Sequence, residues 1–343
     1  MKRPFKHTLE IVAAWVAVGV ALCAGVLGLV GPLLGGLSPG LQGSVGFVSE
    51  TVAAMLLPGG LLTAVVAVAT LLRRLWWPGA ALATIALIIL VPELWMSLQG
   101  SAGRSPGDSR ALRVAAVNLA TENDEDSLME GALREIDADV LVLSEFTSSW
   151  ASRLEEWFAG DYPHRWQAAA PDRPGYYVEG LRLAIWSRIP AVGDHEVLSL
   201  SGCSPQIRVP LHWRGRAFAL YGIHPWKPYP LGLYHVAWRD RQQILEWVRR
   251  ERLPTVVAGD FNAPPGSAFI QRLRLLGLAN ASESVCGRAP VTWPMHPFMF
   301  APIRVAIDHV MHSEELVAVG FRRGMATNSD HAPVLAELAW QDE

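Results

Sequence analysis

The sequence predicts an α/β protein in which three transmembrane helices precede a domain of two mixed β-sheets packed face to face, with helices outside. One observation behind this is an uneven distribution of charge, since residues 1–100 hold eight of the 61 Asp, Glu, Lys and Arg residues. Another is the series of short apolar runs, separated by amphipathic or turn segments, that begins at residue 113. With 51% apolar residues and three cysteines in 343 residues, the chain is neither disordered nor a disulfide scaffold.

Three apolar runs predict the transmembrane helices, and they span Ile11–Val30, Val52–Leu72 and Trp76–Met96. Each is close to the ~20 residues needed to cross about 30 Å of hydrocarbon. Pro58-Gly59-Gly60 interrupts the second run, a break that neighbouring helices can accommodate. A cleaved signal peptide is the alternative for the first run, but its apolar stretch exceeds the usual ~7–15 residues and two further runs follow.

The positive charges around these runs predict their orientation. Lys2, Arg3 and Lys6 precede the first run, and Arg73-Arg74 separate the second from the third. Because basic residues flanking membrane spans stay in the cytoplasm, the N-terminus is expected there. Three crossings then place the rest of the chain outside. The sequence therefore predicts a multi-pass protein of the cell membrane with a periplasmic or extracytoplasmic domain.

Three parts follow along the chain. Residues 1–99 are expected to form the membrane domain, residues 100–111 a linker rich in Gly, Ser and Pro, and residues 112–343 the catalytic domain. Apolar runs within the last part predict strands at Arg113–Leu119, Val140–Leu143, Leu181–Trp186, Ile207–His212, Ala217–Ile223, Thr255–Ala258, Val305–Val310, Leu316–Gly320 and Val334–Leu338. Amphipathic spacing predicts helices at Ser127–Ile136, Leu233–Arg250 and Ala268–Leu276.

Polar side chains lie at or beside the ends of six of these strands, where a purely structural strand does not need them. They are Asn118, Glu145, His224, the pair Asp260 and Asn262, Asp308, and the run Ser329-Asp330-His331. Taken singly, each has an ordinary explanation as a turn or cap residue. Taken together they favour a functional site, because α/β folds place their sites at the ends of neighbouring strands.

The whole series resembles the endonuclease/exonuclease/phosphatase superfamily of DNase I-like enzymes. The most specific parts of the resemblance are Gly259-Asp260-Phe261-Asn262, Ile307-Asp308-His309 and Ser329-Asp330-His331, with Glu145 after an apolar run. The resemblance covers roughly residues 113–340. It implies a four-layered αββα sandwich and metal-dependent hydrolysis of a phosphate ester, commonly with Mg²⁺ and with Mn²⁺ as the alternative.

The same resemblance implies a metal site built from Glu145 as the main ligand, with Asn118 and Asp330 close to the ion. Such oxygen ligands are what Mg²⁺ prefers. None of the three cysteines belongs to the motifs, which argues against a thiolate zinc site.

The resemblance also implies roles for the remaining motif residues in the attack of water on phosphorus. His331 is expected to act as the base, oriented by Asp308, while Asp260 and Asn262 position the water and a phosphoryl oxygen. His224 is expected to donate to a non-bridging oxygen. Which of Asp260 and His331 handles the proton stays open, and His309 is assigned no role.

The sequence indicates the type of reaction more closely than it indicates the substrate. The aromatic segments 226–230 and 293–300 flank the expected site and favour a phospholipid or another envelope-associated phosphate ester, with the bilayer as a partner. An extracytoplasmic nuclease is the alternative. It is disfavoured by the charge of the second part of the chain, which has 24 basic and 29 acidic residues once the five basic and three acidic residues of the first 100 are set aside. A non-catalytic binding module is a minor alternative.

Overall fold

The structure, a computed structural model, describes residues 10–23, 56–99, 111–121, 126–158, 160–169, 182–200, 205–228, 234–295, 305–325 and 327–342. The chain divides into two compact units. The first comprises Met1–Leu98 with Gly266–Ala268, and the second comprises Gln99–Pro265 with Phe269–Glu343. Most of the expected linker lies outside the described residues, so the domain boundaries stay a prediction.

The first unit contains three described helices. They are α1, which covers residues 10–23, α2 at Leu56–Leu72 and α3 at Trp76–Gln99. The hydroxyls of Thr63 and Thr70 donate to the carbonyls of Gly59 and Val66, one turn earlier in α2. An exposed ion pair joins Arg73, in the turn after α2, to Glu10 at 2.9 Å.

The predicted multi-pass membrane location is wrong, because none of the helices in the described ranges is both long and apolar enough to cross a bilayer. Of the described helices, α2 has 17 residues, and α3 contains Pro78, Pro92 and Glu93. Residues 24–55, which hold part of the first two predicted spans, lie outside the described residues.

The second unit is a sandwich of two six-stranded sheets. The first sheet has the order β11-β12-β1-β2-β4-β3 and the second β5-β6-β7-β8-β10-β9. The strands are β1 Leu112–Asn118, β2 Val140–Phe146, β3 His164–Ala169, β4 Arg182–Ser187, β5 Glu196–Leu198, β6 Gln206–Trp213, β7 Arg216–Ile223, β8 Thr255–Asp260, β9 Ala279–Asn280, β10 Asp308–His312, β11 Leu316–Arg323 and β12 Val334–Trp340. The helices are α4 Asp126–Ile136, α5 Ser148–Phe158, α6 Tyr234–Arg249, α7 Ala268–Leu275 and α8 Ala281–Cys286.

Three apolar clusters hold these layers together. One contains side chains of both sheets, such as Val142 of β2 and Leu220 of β7, and fills the space between the sheets. A second joins the first sheet to α4 and α5, and a third joins the second sheet to α6 and α7. The order helix, sheet, sheet, helix confirms the predicted two-sheet sandwich, since a sheet with apolar residues on both faces must be covered on both.

The strand pairings bring the motif residues to one end of the sandwich. Strands β1 and β2 are parallel neighbours in the first sheet, as are β7 and β8 in the second. Strand β10 runs antiparallel to β8, with Asp308 directly opposite Asp260. The predicted polar residues therefore lie at the carboxyl ends of β1, β2, β7 and β8 and at the start of β10.

Some elements differ from the sequence prediction. The amphipathic helix α5 and the strand β3 were not predicted, although Trp150, Leu154 and Phe158 recur at helical spacing and are buried. The predicted strand at residues 305–310 begins only at Asp308. The reason is local, because the amides of Ile307 and Asp308 donate to Thr292 Oγ1 instead of to a neighbouring strand.

Gly259 provides a test of how tightly β7 and β8 meet. Its φ is +138°, and an added Cβ would overlap the carbonyl oxygen of Ile223. We expect G259A to lower the free energy of unfolding by about 2–4 kcal/mol, measured by urea denaturation, because backbone must move to admit the methyl group. G131A is the control, since nothing lies within 4 Å of a Cβ at that position of α4. A G259A protein as stable as wild type would contradict the close approach.

Candidate active site

The side-chain amide of Asn118 joins the two sheets at the end of the sandwich. Asn118 ends β1, and its Nδ2 donates to Glu145 Oε1 of the first sheet at 3.2 Å and to Asp260 Oδ2 of the second sheet at 3.0 Å. The same nitrogen lies 3.5 Å from His331 Nε2. Its Oδ1 accepts from the amide of Ala120 at 3.0 Å. Three other predicted site residues therefore meet around the buried amide of Asn118.

Glu145 is held in place by an irregularity of β2. Its φ is +54°, and the pairing of β2 with β4 shifts register between Leu143 and Phe146, as at a bulge that re-aims a side chain. The carboxylate accepts from Thr121, at 3.0 Å from the amide and 2.7 Å from the hydroxyl. Burial alone raises the pKa of Glu145, but the charge of His224 and the Thr121 hydroxyl outweigh burial, so this pKa lies below its ordinary value.

Asp308 and His331 form a buried carboxylate–imidazole pair. Asp308 Oδ2 lies 2.9 Å from His331 Nδ1, while the amide of His331 donates to Ser329 Oγ at 3.1 Å. Ser329 Oγ in turn donates to the backbone carbonyl of Asn118 at 2.8 Å. The turn that carries His331 is thus tied to the end of β1, which explains how residues 213 positions apart in sequence meet.

The electrostatics of this pair are dominated by carboxylates. Burial by itself lowers the pKa of His331, but the charges of Asp308 and Asp260 outweigh burial and raise it to about 10. Burial raises the pKa of Asp260, and the charge of Asp308 adds to this effect, although His331 and His224 oppose it. His331 Nε2 lies 3.8 Å from Asp260 Oδ2, so the imidazole lies between two carboxylates, which favour its charged form.

Asn262 and His224 complete the side of the site formed by the second sheet. The amide of Asn262 donates to Asp260 Oδ1 at 2.8 Å, and its Nδ2 donates to the carbonyl of Pro225 at 3.1 Å. His224 Nε2 lies 3.5 Å from Asp260 Oδ2. The buried Gln206 holds the backbone of His224 from both sides, since its Oε1 accepts from the amide and its Nε2 donates to the carbonyl.

Asp330 lies further out than the other predicted ligands. Its Oδ1 is 4.0 Å from His331 Nε2, and its Oδ2 accepts from Trp293 Nε1 at 2.9 Å. The Trp293 ring centroid is 6.5 Å from that of His331. One residue of the aromatic segment 293–300 therefore lies at the site, whereas residues 296–300 lie outside the described residues.

The donor set suits a hard divalent cation. Among the described residues, Asp260, Asp308 and His331 offer ligand atoms that all lie within 4.8 Å of one another. Within the described part of the chain, Asp308 Oδ1 is buried without a hydrogen-bond partner, and buried polar atoms normally have one. The carboxylate of Glu145 is a further acidic group at this cluster, since the Asn118 amide that contacts Asp260 also donates to Glu145. Oxygen atoms in excess of available donors are what Mg²⁺ and Mn²⁺ bind.

His309, which the sequence left without a role, has a structural one. Its Nδ1 lies 3.1 Å from Asn280 Nδ2 and its Nε2 lies 3.0 Å from the carbonyl of Ala263. Because an amide nitrogen only donates, Nδ1 is the acceptor. Nε2 therefore carries the proton and donates it in a hydrogen bond to the Ala263 carbonyl. Burial lowers the pKa of His309 to about 4, so the ring is neutral at pH 7.

The eight residues predicted from sequence therefore lie at one end of the sandwich. Sequence reasoning missed Thr121, Gln206 and Trp293, which orient Glu145, His224 and Asp330 respectively. Trp293 lay inside an aromatic segment that the sequence did single out. Thr121 and Gln206 carried no such signal, because single polar residues in loops or at strand starts are common.

A sequence model of the Endonuclease/Exonuclease/phosphatase family matches residues 116–331, which is well over half of the chain and includes every residue of the site described above. The chain belongs to this family. It is accordingly a hydrolase of phosphoric esters, in a family whose members typically depend on a divalent metal. No curated protein matches the sequence significantly.

Solved structures with the family's fold resemble the second unit. The endonuclease/exonuclease/phosphatase from Beutenbergia cavernae is 21% identical, with a TM-score of 0.55 over 67% of this chain and 72% of that one. Humanized TDP2 from D. rerio is 13% identical, with a TM-score of 0.54 over 67% and 100%. The family member from Bacteroides vulgatus is 17% identical, with a TM-score of 0.51 over 67% and 99%. At these identities the likeness shows the fold.

His309 predicts a pH dependence of stability. Its pKa rises from about 4 in the folded protein to its ordinary ~6.5 on unfolding. The unfolded chain therefore binds the extra proton between these values, and stability is lost as the pH falls from 6.5 to 4. In wild type this contributes a loss of up to about 3 kcal/mol, which H309Q is expected to remove from urea unfolding curves recorded across that range.

The exposed His235 of α6 provides the control. The stability of H235Q should follow the wild-type pH dependence. Equal pH slopes for wild type and H309Q would show that His309 is not buried as a neutral ring.

Proposed function

We propose that the protein is a Mg²⁺-dependent phosphodiesterase. The observation that carries this proposal is the single buried cluster in which Asn118 contacts Glu145, Asp260 and His331. Hydrolysis of a phosphate ester needs a positioned water, a proton acceptor, and donors around the oxygens on which negative charge grows. Each of these requirements has a suitable group in this cluster.

Asp260 is the residue that we assign as proton acceptor. Its carboxylate is buried at the centre of the site, with Asn118, His224 and His331 around Oδ2. His331 is less suited to this role, because Asp308 holds Nδ1 at 2.9 Å and the two carboxylates favour its charged form. A fixed imidazolium is instead a donor for a phosphoryl oxygen, with His224 as the second donor. Asn262 orients Asp260 through its backbone amide.

We assign the cation to Glu145, Asn118 and Asp330, beside the cluster of Asp260, Asp308 and His331 and not within it. The two carboxylates of that cluster already hold the His331 imidazole. A bound divalent ion supplies positive charge to the phosphate oxygens. Without it, the buried carboxylates would repel an anionic substrate, since His224 and His331 carry at most two positive charges against those of Glu145, Asp260, Asp308 and Asp330.

The substrate class follows from charge and from Trp293. A diester brings one negative charge to this acidic site, whereas a monoester brings up to two, so a diester is less strongly repelled. The indole of Trp293 beside His331 offers an apolar face for a group esterified to the phosphate. We propose a phospholipid as the first candidate and nucleic acid as the second. The net charge of −3 is unfavourable for a DNA backbone.

The variants E145Q, D260N and H331Q test the assignment. Each is expected to lower kcat on a chromogenic phosphodiester by about 100-fold or more, because each removes a charge from the reacting centre without changing its shape greatly. E246Q is the control, since Glu246 lies on the exposed face of α6 and pairs with Arg249 and Arg250. Wild-type rates in all three site variants would contradict the proposed site.

Removal and return of the cation test the metal requirement and the substrate together. After treatment with EDTA and desalting, the full chain is expected to be inactive and to regain activity on Mg²⁺ addition. Three substrates are then compared, namely phosphatidylglycerol vesicles, supercoiled plasmid and p-nitrophenyl phosphate. Release of a phosphorylated headgroup supports the lipid, plasmid nicking supports a nuclease, and turnover of the monoester alone would overturn the phosphodiesterase proposal.

A further inference from the structure

Arg241 is a buried cation behind the site, on the side of α6 that faces the second sheet. Its side chain is fully buried, and it shares the buried side of the helix with Ala237, Ile244, Leu245 and Val248. A buried charge has a large desolvation cost unless it makes strong hydrogen bonds. Arg241 Nη2 donates to the backbone carbonyl of Asn262 at 2.7 Å, so this cation contacts the turn that follows Asp260.

That turn adopts a conformation that needs support. Asn262 has a φ of +48°, a left-handed backbone that costs about 1 kcal/mol or more for a residue with a side chain. In this conformation the Asn262 amide reaches Asp260 Oδ1 and its side chain reaches Pro225. The position of Asp260 and of the segment bearing His224 therefore depends on the turn.

Two consecutive carbonyls of the turn are held by buried side chains from different elements. Arg241 of α6 donates to Asn262, and His309 of β10 lies 3.0 Å from the carbonyl of Ala263. Phe261 packs between the same supports, with its ring centroid 6.0 Å from that of Phe269 and 5.2 Å from that of His309. The Arg241 guanidinium lies 5.8 Å from the Phe269 centroid. The turn is thus fixed from outside the site.

We propose that Arg241 is a positioning residue that acts through Asn262 to hold Asp260 and the His224 segment in their reactive arrangement. This rests on the proposed function of the same site. Arg241 does not touch the reacting atoms, so its loss misplaces Asp260 and its neighbours without removing a reacting group. A misplacement of about 1 Å is enough to cost roughly 100-fold in rate.

A double-mutant cycle separates this role from a general effect on folding. In the full chain with Mg²⁺, R241M is expected to lower kcat on the chromogenic phosphodiester by about 10- to 100-fold, with KM within about twofold of wild type. In a D260N background, the same substitution should lower kcat by less than about twofold, because the carboxylate that Arg241 positions is already gone. Independent, multiplicative losses would overturn the proposal. R249M, on the exposed face of the same helix, is the matched control.

Hydrogen exchange gives a readout that does not need activity. The amides of Phe261 and Asn262 donate to Ile307 and to Asp260, so R241M should accelerate their exchange by about tenfold or more relative to R249M. Unchanged exchange would overturn the positioning role. If R241M does not fold, R241K is measured in its place, since it keeps a donor on a different stem. An inactive wild type with accelerated exchange in R241M would overturn the proposed function but support the positioning role.

Discussion

The arrangement of the site depends on the two hydrogen bonds that the Asn118 amide donates to Glu145 and Asp260. The sheets that carry these carboxylates are otherwise packed through an apolar cluster. Apolar packing sets the distance between sheets but is not directional. A buried primary amide has donors with fixed geometry, so Asn118 orients both carboxylates at once. The backbone carbonyl of Asn118 also accepts a hydrogen bond from the Ser329 hydroxyl. This bond brings the turn that carries His331 to the same place.

This arrangement brings several carboxylates close together inside the protein. Like charges that are close together and shielded from water repel strongly. Burial and then the charge of Asp308 raise the pKa of Asp260, whereas attraction to Asp308 and Asp260 raises the pKa of His331. The charge of His331 offsets part of this repulsion, and no atom of the described residues hydrogen-bonds to Asp308 Oδ1. A divalent cation would offset this excess of acidic oxygens, which connects the proposed metal requirement to the electrostatics of the site.

Support for the site comes from residues that never enter it. Thr121, Gln206 and Arg241 each hold the backbone or carboxylate of a site residue. His309 holds the carbonyl of Ala263, in the turn that follows Asp260. Arg241 had a signal in the sequence, since an arginine interrupts the apolar face of the helix predicted at Leu233–Arg250. The signal was ambiguous because long charged side chains often cover apolar surface with their stems.

The amino-acid sequence by itself determined the two-sheet class, most of the strands and the set of polar residues at their ends. These features follow from local periodicity and from the order of the motifs, and neither depends on contacts between distant residues. Its apolar runs led to a wrong prediction of a membrane location, because a uniformly apolar run is compatible with several helix lengths and interruptions. Only the tertiary structure decided that Asn118 lies between Glu145 and Asp260, and that Arg241 contacts the Asn262 carbonyl. Such contacts join residues as far as 142 positions apart, and their geometry follows from how strands pair and layers pack.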